Sequence, residues 1–89
     1  MFFKVFLHPN AAKDLRKIDA VNKARIKKAL EELAVDPWKA GKLLNPSDFW
    51  SVRSGDYRAI YEIDSDQKTG TVLFVGHRKR VYDDFSKLL

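Results

Sequence analysis

Four residues near the end of the chain, His77, Arg78, Lys79 and Arg80, run together with no acid among them, and Tyr82 follows closely. A guanidinium presents a planar fork of donors that matches phosphate oxygens, so the run reads as a phosphate site. The plainer reading is a solvated surface stretch, but a solvated exit loop usually mixes signs. Imidazole exchanges protons readily near neutral pH, so His77 is a reasonable general acid or base. Arg58 lies in a strand expected to neighbour the last one and adds a further guanidinium. Metal chemistry finds little support. The chain has no cysteine, and His8 and His77 are far apart with no spacing typical of a zinc site. No metal or cofactor is expected.

The 89 residues allow one domain, spanning 1–89, with a thin core. A composition 45% hydrophobic and 12% aromatic argues against disorder, and the lack of cysteine suits a reducing cytoplasm. The apolar start, Phe2 to Leu7, is too short for a membrane span and lacks the layout of a secretory signal. Net charge is +5, and residues 13–28 alone reach +5: Lys13, Arg16, Lys17, Lys23, Arg25, Lys27 and Lys28 against Asp14 and Asp19. That stretch is either a solvated helical face or an electrostatic footprint for a polyanion.

The elements that must carry these groups follow from periodicity and caps. Phe2 to Leu7 alternates as a strand, with Phe3, Val5 and Leu7 on one face. Pro9 can open a helix whose apolar positions are Ala11, Ala12, Leu15 and Ile18. Asp19 is a natural N-cap for a second helix with the stripe Ile26, Ala29, Leu30, Leu33 and Ala34, ended by Asp36-Pro37. Residues 37–48 read as irregular, with Trp38, Leu43 and Leu44 pinning them to the core. Strands follow at 49–53, 57–63 and 71–76, the first two joined by the turn Ser54-Gly55-Asp56. Tyr82, Phe85, Leu88 and Leu89 suit the apolar side of a short C-terminal helix. Both helices should pack on one sheet face and leave the other as a working surface.

The segment Val52-Arg53-Ser54-Gly55-Asp56-Tyr57-Arg58-Ala59-Ile60-Tyr61, followed by Val75-Gly76-His77-Arg78-Lys79-Arg80-Val81-Tyr82, resembles the signature of the RelE/ParE toxin superfamily. The N-terminal strand, helical hairpin and Asp36-Pro37 stop extend the resemblance over nearly the whole chain. It implies an α+β, RelE-like microbial RNase fold: an N-terminal strand, a helical hairpin, a three-stranded antiparallel meander and a short C-terminal helix, with four antiparallel strands in all. It also implies the toxin half of a type II toxin–antitoxin pair, with a cognate antitoxin, RelB-like or other, as partner. An acidic wrapping segment would complement the charge of the toxin.

The resemblance implies one of two activities. RelE-like members cut mRNA in the ribosomal A site without metal, which makes ribosome and mRNA partners. ParE-like members bind DNA gyrase and cut no RNA. A third possibility is a non-toxic member kept for binding alone. For cleavage, the carry-over makes Arg58 and Arg78 a clamp on the scissile phosphate. Tyr82 would act in proton transfer or stacking, His77 as acid or base, and Arg53, Lys79 and Arg80 as further phosphate contacts. A phenol ionises only near pH ~10, so a basic Tyr82 needs help from nearby arginine charge. The prototype carries two lysines at the positions of Phe49 and Ser51, which shifts weight to the arginines, His77 and Tyr82. The plain readings are core packing for Tyr57 and Tyr61, a pairing of Arg58 with Glu62, and a capping role for His8.

Overall fold

A computed structural model describes residues 2–44 and 48–81. In chain order the elements are β1 (Lys4–Leu7), α1 (Pro9–Arg16), α2 (Ala20–Val35), α3 (Pro37–Ala40), β2 (Lys42–Leu43), β3 (Trp50–Ser54), β4 (Tyr57–Asp64) and β5 (Thr69–His77). Helical backbone resumes at residues 78–81. The expected apolar side of a C-terminal helix, Tyr82 to Leu89, lies outside the described residues. Among those residues no helix is long and apolar enough to cross a membrane.

Local chemistry sets the helix ends. His8 caps α1, its Nδ1 accepting from the Asn10 amide at 3.1 Å, and Pro9 fills the first turn. Asp19 caps α2 by accepting from the Asn22 amide at 3.2 Å and the Asn22 side chain at 2.8 Å. Those two bonds, the side-chain one foremost, hold the Asp19 carboxyl below its ordinary pKa. Asp36 leaves helical geometry at φ −152°, ends α2, and caps α3 by accepting from the Trp38 and Lys39 amides. Gly55 turns the β3–β4 hairpin at φ 61°, where a side chain would be strained.

The sheet runs β1-β5-β4-β3-β2. The meander β3-β4-β5 is antiparallel, as expected. Two features differ from the expected four antiparallel strands. β1 pairs with β5 in parallel, and residues 37–48, expected to be irregular, contain α3 and the short β2. Alternation along a strand shows that it is a strand, but carries no information on its neighbour or direction. β1 stops at Leu7, opposite Val72. Beyond that point α1 meets the β5 edge, where Asp14 Oδ2 accepts from the Val75 amide at 3.3 Å.

Both long helices lie on one face. Ala11, Leu15, Ile26, Ala29 and Leu33 pack with Val52, Ala59, Tyr61, Val72 and Val75. The register shifts at Ile60/Tyr61, so that Leu73 is an extra residue in β5. This bulge lets Val72 and Val75, three apart, both face the helices. The other face carries a smaller cluster, Ile60 and Val81 with Leu44, Phe49 and Phe74. Trp38 and Leu43 do not pin the α3 region as expected; they are 47% and 43% exposed. Pro37 is buried instead, Ala40 packs against the main core and Leu44 joins the small cluster. An exposed Trp38 still has a use, meeting the Phe3 ring edge-on at 5.2 Å.

Tyr61 fastens this corner. Its ring is fully buried and its hydroxyl donates to the Pro37 carbonyl at 2.6 Å. Gly41 passes so close that a Cβ there would collide with the Ser51 carbonyl oxygen and the Tyr61 hydroxyl. Tyr61→Phe leaves the Pro37 carbonyl without this donor and should cost about 1–3 kcal/mol. Burial, reinforced by the Asp36 charge, pushes the Tyr61 hydroxyl from 10.0 up to about 12. The folded state therefore keeps a proton that the unfolded chain releases earlier. Stability from this group is complete below the unfolded value and is lost as pH rises through the folded one. Urea denaturation should show the parent's advantage over Tyr61→Phe shrinking between pH 10 and about 12. A constant or widening gap would contradict the assignment.

Candidate functional site

Alternation along β4 sends Tyr57, Ala59 and Tyr61 to the helices, which leaves Arg58, Ile60 and Glu62 on the open face. Register then defines two neighbouring rows on that face. One row is Arg53, Arg58 and Gly76; the next is Lys42, Ser51, Ile60 and Phe74. A recess of about 420 Å³ opens beside them, lined by Arg53, Arg58, Ser51 and the segment from Lys39 to Leu44. Among the described residues, four of those lining it are cationic and none is acidic.

Such an arrangement is unfavourable without an anion. Like charges directly opposite on paired strands repel. Arg53 is turned toward the hairpin, its Nε donating to the Gly55 carbonyl at 3.2 Å. Arg58 Nε is buried and makes no hydrogen bond among the described residues. Glu62, four residues on, lines a separate polar recess with Asp64 and Thr71 at the other end of the face. A multi-oxygen anion in the basic recess would supply the missing acceptors and cancel the repulsion together.

The other expected residues are divided between the two faces. Arg78 starts the helical turn that follows β5, its amide donating to the Asp56 carbonyl at 2.8 Å. It stands two residues beyond Gly76, the cross-strand partner of Arg58, and is exposed. Lys79 is also exposed. His77, opposite Tyr57, faces the helix side, its ring 6.0 Å from the Tyr57 ring at 75°. There a recess of about 230 Å³ gathers Asp14, Lys17, Tyr57, His77 and Arg80. His77 Nδ1 accepts from the Lys79 amide at 3.4 Å, so the neutral ring carries its proton on Nε2. His77 and Arg80 are thus not gathered with Arg58 as expected, because strand parity puts residues 58 and 77 on opposite faces. Tyr82 lies outside the described residues. It follows Val81, which is buried against Ile60 on the open face.

Sequence reasoning missed Lys39, Lys42 and Ser51 as parts of the recess. The available signal was slight: two lysines around Gly41 and no acid from Pro37 to Ser47. A two-residue strand leaves no periodicity to read.

Residues 5–82 match the family model described as ParE toxin of type II toxin–antitoxin system, parDE. The chain is similar to Toxin RelG of Mycobacterium tuberculosis, 32% identical over 85 residues, covering 92% of this chain and 98% of that protein. Among solved structures it resembles a chain of the M. tuberculosis RelBE2 toxin–antitoxin complex, with TM-score 0.81 and 31% identity over 88% of this chain and all of that one. It is equally similar in fold to the free state of an E. coli RelE mutant with two arginines replaced by alanine. There the TM-score is 0.81 and the identity 26%, covering 100% of this chain and 99% of that one.

The unsatisfied charge predicts a trade between stability and binding. Arg58→Met keeps most of the apolar stem and removes the repulsion. It should stabilise the free protein at low salt by about 0.5 kcal/mol, a rise of about 2–4 °C in Tm for a domain of this size. Added polyphosphate should raise the Tm of the parent more than that of the variant. A fall in Tm for Arg58→Met without added anion would show that Arg58 is satisfied in the free fold.

Proposed function

The chain belongs to the RelE/ParE superfamily, toxins of type II toxin–antitoxin systems, and on that premise we propose that it is an endoribonuclease that cuts mRNA on the ribosome. The observation that carries the reading is Arg58, half-buried, whose buried Nε finds no partner among the described residues, opposite Arg53 in a recess that no described carboxylate lines. In the reaction the 2′-oxygen attacks the adjacent phosphorus. An O2′–P bond forms and the P–O5′ bond breaks, giving a 2′,3′-cyclic phosphate and a 5′-hydroxyl. One proton leaves the 2′-hydroxyl for a base and one is delivered to the departing O5′. Negative charge builds on the phosphate oxygens, and Arg58 and Arg78 hold it, with Arg53 and Lys79 behind them. Tyr82 is assigned to proton transfer. His77 and Arg80 meet the RNA only where it passes around the end of β5 toward α1.

The same reading gives the basic helices a role. Lys13, Arg16, Arg25, Lys27 and Lys28 are exposed on α1 and α2. Such a surface suits ribosomal RNA and makes docking strongly salt-dependent. We place the toxin in the cytoplasm beside its substrate, held inactive by an antitoxin with an acidic segment. The similar M. tuberculosis structure is itself a toxin–antitoxin complex. The match to the ParE model favours a second reading, a gyrase-binding toxin without nuclease activity.

Primer extension on mRNA from cells briefly expressing the chain separates the two. Cuts within translated codons are expected. Arg58→Ala or Arg78→Ala should lower cleavage by about 10²–10³ and relieve growth arrest while the protein stays folded. Intact mRNA with trapped gyrase–DNA complexes would establish the second reading instead, and a folded variant as toxic as the parent would refute the clamp. In purified reactions cutting is expected on programmed ribosomes and should be negligible on naked RNA. Equal rates on both would remove the ribosome from the account.

A further inference from the structure

The basic recess is larger than one phosphate needs, and half of the described cations that line it come from outside the β3–β4 pair. Lys42 is the Cα partner of Ser51 on the edge strand β2, and Lys39 belongs to α3. Both line the recess with Arg53 and Arg58. We propose that Lys42, with Lys39, forms a second phosphate subsite beside Arg58, so that the recess takes two successive phosphates of one polynucleotide strand. The inference rests on the nucleic-acid reading above and adds where the strand runs: across the open face from the β5 end toward α3.

Three observations lead there. The first is spacing. The Arg53–Arg58 row and the Lys42–Ser51 row are two residues apart on one face, about 6.8 Å along the strand, the scale of one step of an extended polynucleotide. The second is rigidity. The backbone leading into Lys39 is held by the Asp36 cap on the Trp38 and Lys39 amides and by the Tyr61–Pro37 hydrogen bond. Gly41 is pressed against the Ser51 carbonyl with no room for a side chain. Lys39 and Lys42 therefore leave a fixed wall, at a lower ordering cost than lysines on a free loop. The third is charge. Among the described residues no acid lines this wall, so neither lysine has a described carboxylate in the recess to compete with a phosphate. The row at Ser51, which lacks a cation of its own, receives one from across the strand pair.

The test is binding of a 2′-O-methyl hexanucleotide, which cannot be cleaved, followed by fluorescence anisotropy over a range of salt. Each phosphate neutralised on a single strand contributes about 0.7 to the slope of log K against log[salt]. Lys42→Ala should reduce that slope by about 0.7 and weaken binding to all sequences alike. Lys42→Arg should restore slope and affinity, which a merely structural lysine would not require. Lys68→Asn, in the β4–β5 turn at the far end of the sheet, keeps the positive φ of that position acceptable and should change neither. If the parent binds and Lys42→Ala keeps the full slope, the subsite is wrong while the phosphate site at Arg58 stands. If the parent does not bind the hexanucleotide at all, the nucleic-acid reading of the face falls and the subsite with it.

Discussion

The pleat of β4 is the constraint on which the rest of the molecule depends. The strand is central, paired over its whole length with β5 and over five residues with β3. Its odd-numbered residues must satisfy a helix-covered core, and Tyr61 does so with a fully buried ring. Its even-numbered residues are thereby committed to the other side, whatever their chemistry. Arg58 cannot leave that face without turning Ala59 and Tyr61 out of the core. A one-residue slip would exchange core and site, so strong packing on one side fixes the guanidinium on the other. The same bond that anchors Tyr61 to Pro37 sets the α3–β2 wall of the recess.

Much of this was legible in the sequence where the physics is local. Pro9, Asp19 and Asp36-Pro37 mark helix ends by hydrogen-bonding rules that act within three or four residues, and each is seen in that role. The stripe from Ile26 to Leu33 and the turn at Gly55 are equally local. What was hidden depends on partners far along the chain. The parallel pairing of β1 with β5 joins residue 4 to residue 69, and nothing in either segment states the direction. The bulge at Leu73 changes which residues face the core without changing composition. For the site, motif spacing singled out Arg58, Arg53 and Arg78. It also grouped His77 with them, because spacing along a chain does not reveal which face of a strand a residue takes. Lys42 carried no motif and became visible only through the register that brings it opposite Ser51.

The open face also explains why a small protein keeps an arrangement that works against its own stability. Two arginines face each other across β3 and β4, one with an unmatched buried donor. A core this thin has little surplus to offset such a cost. Removing either charge would be an easy route to a more stable fold; on the proposed reading, binding rather than stability decides these two residues. An anion that fills the recess returns the electrostatic energy on arrival, which couples occupancy to stability.

The most direct measurement of the central claim is the arginine side-chain NMR spectrum of the labelled protein during titration with a non-cleavable oligonucleotide. Arg58 Nε is the donor left without an acceptor among the described residues of the free fold. If the face binds a nucleic-acid phosphate, the Arg58 Nε–Hε signal should shift strongly and its exchange with water should slow. The Arg16 and Arg25 signals on the helices should move far less. An Arg58 signal that stays in place at saturation, while the helix arginines shift, would contradict the account and move the nucleic-acid contact to the helical face.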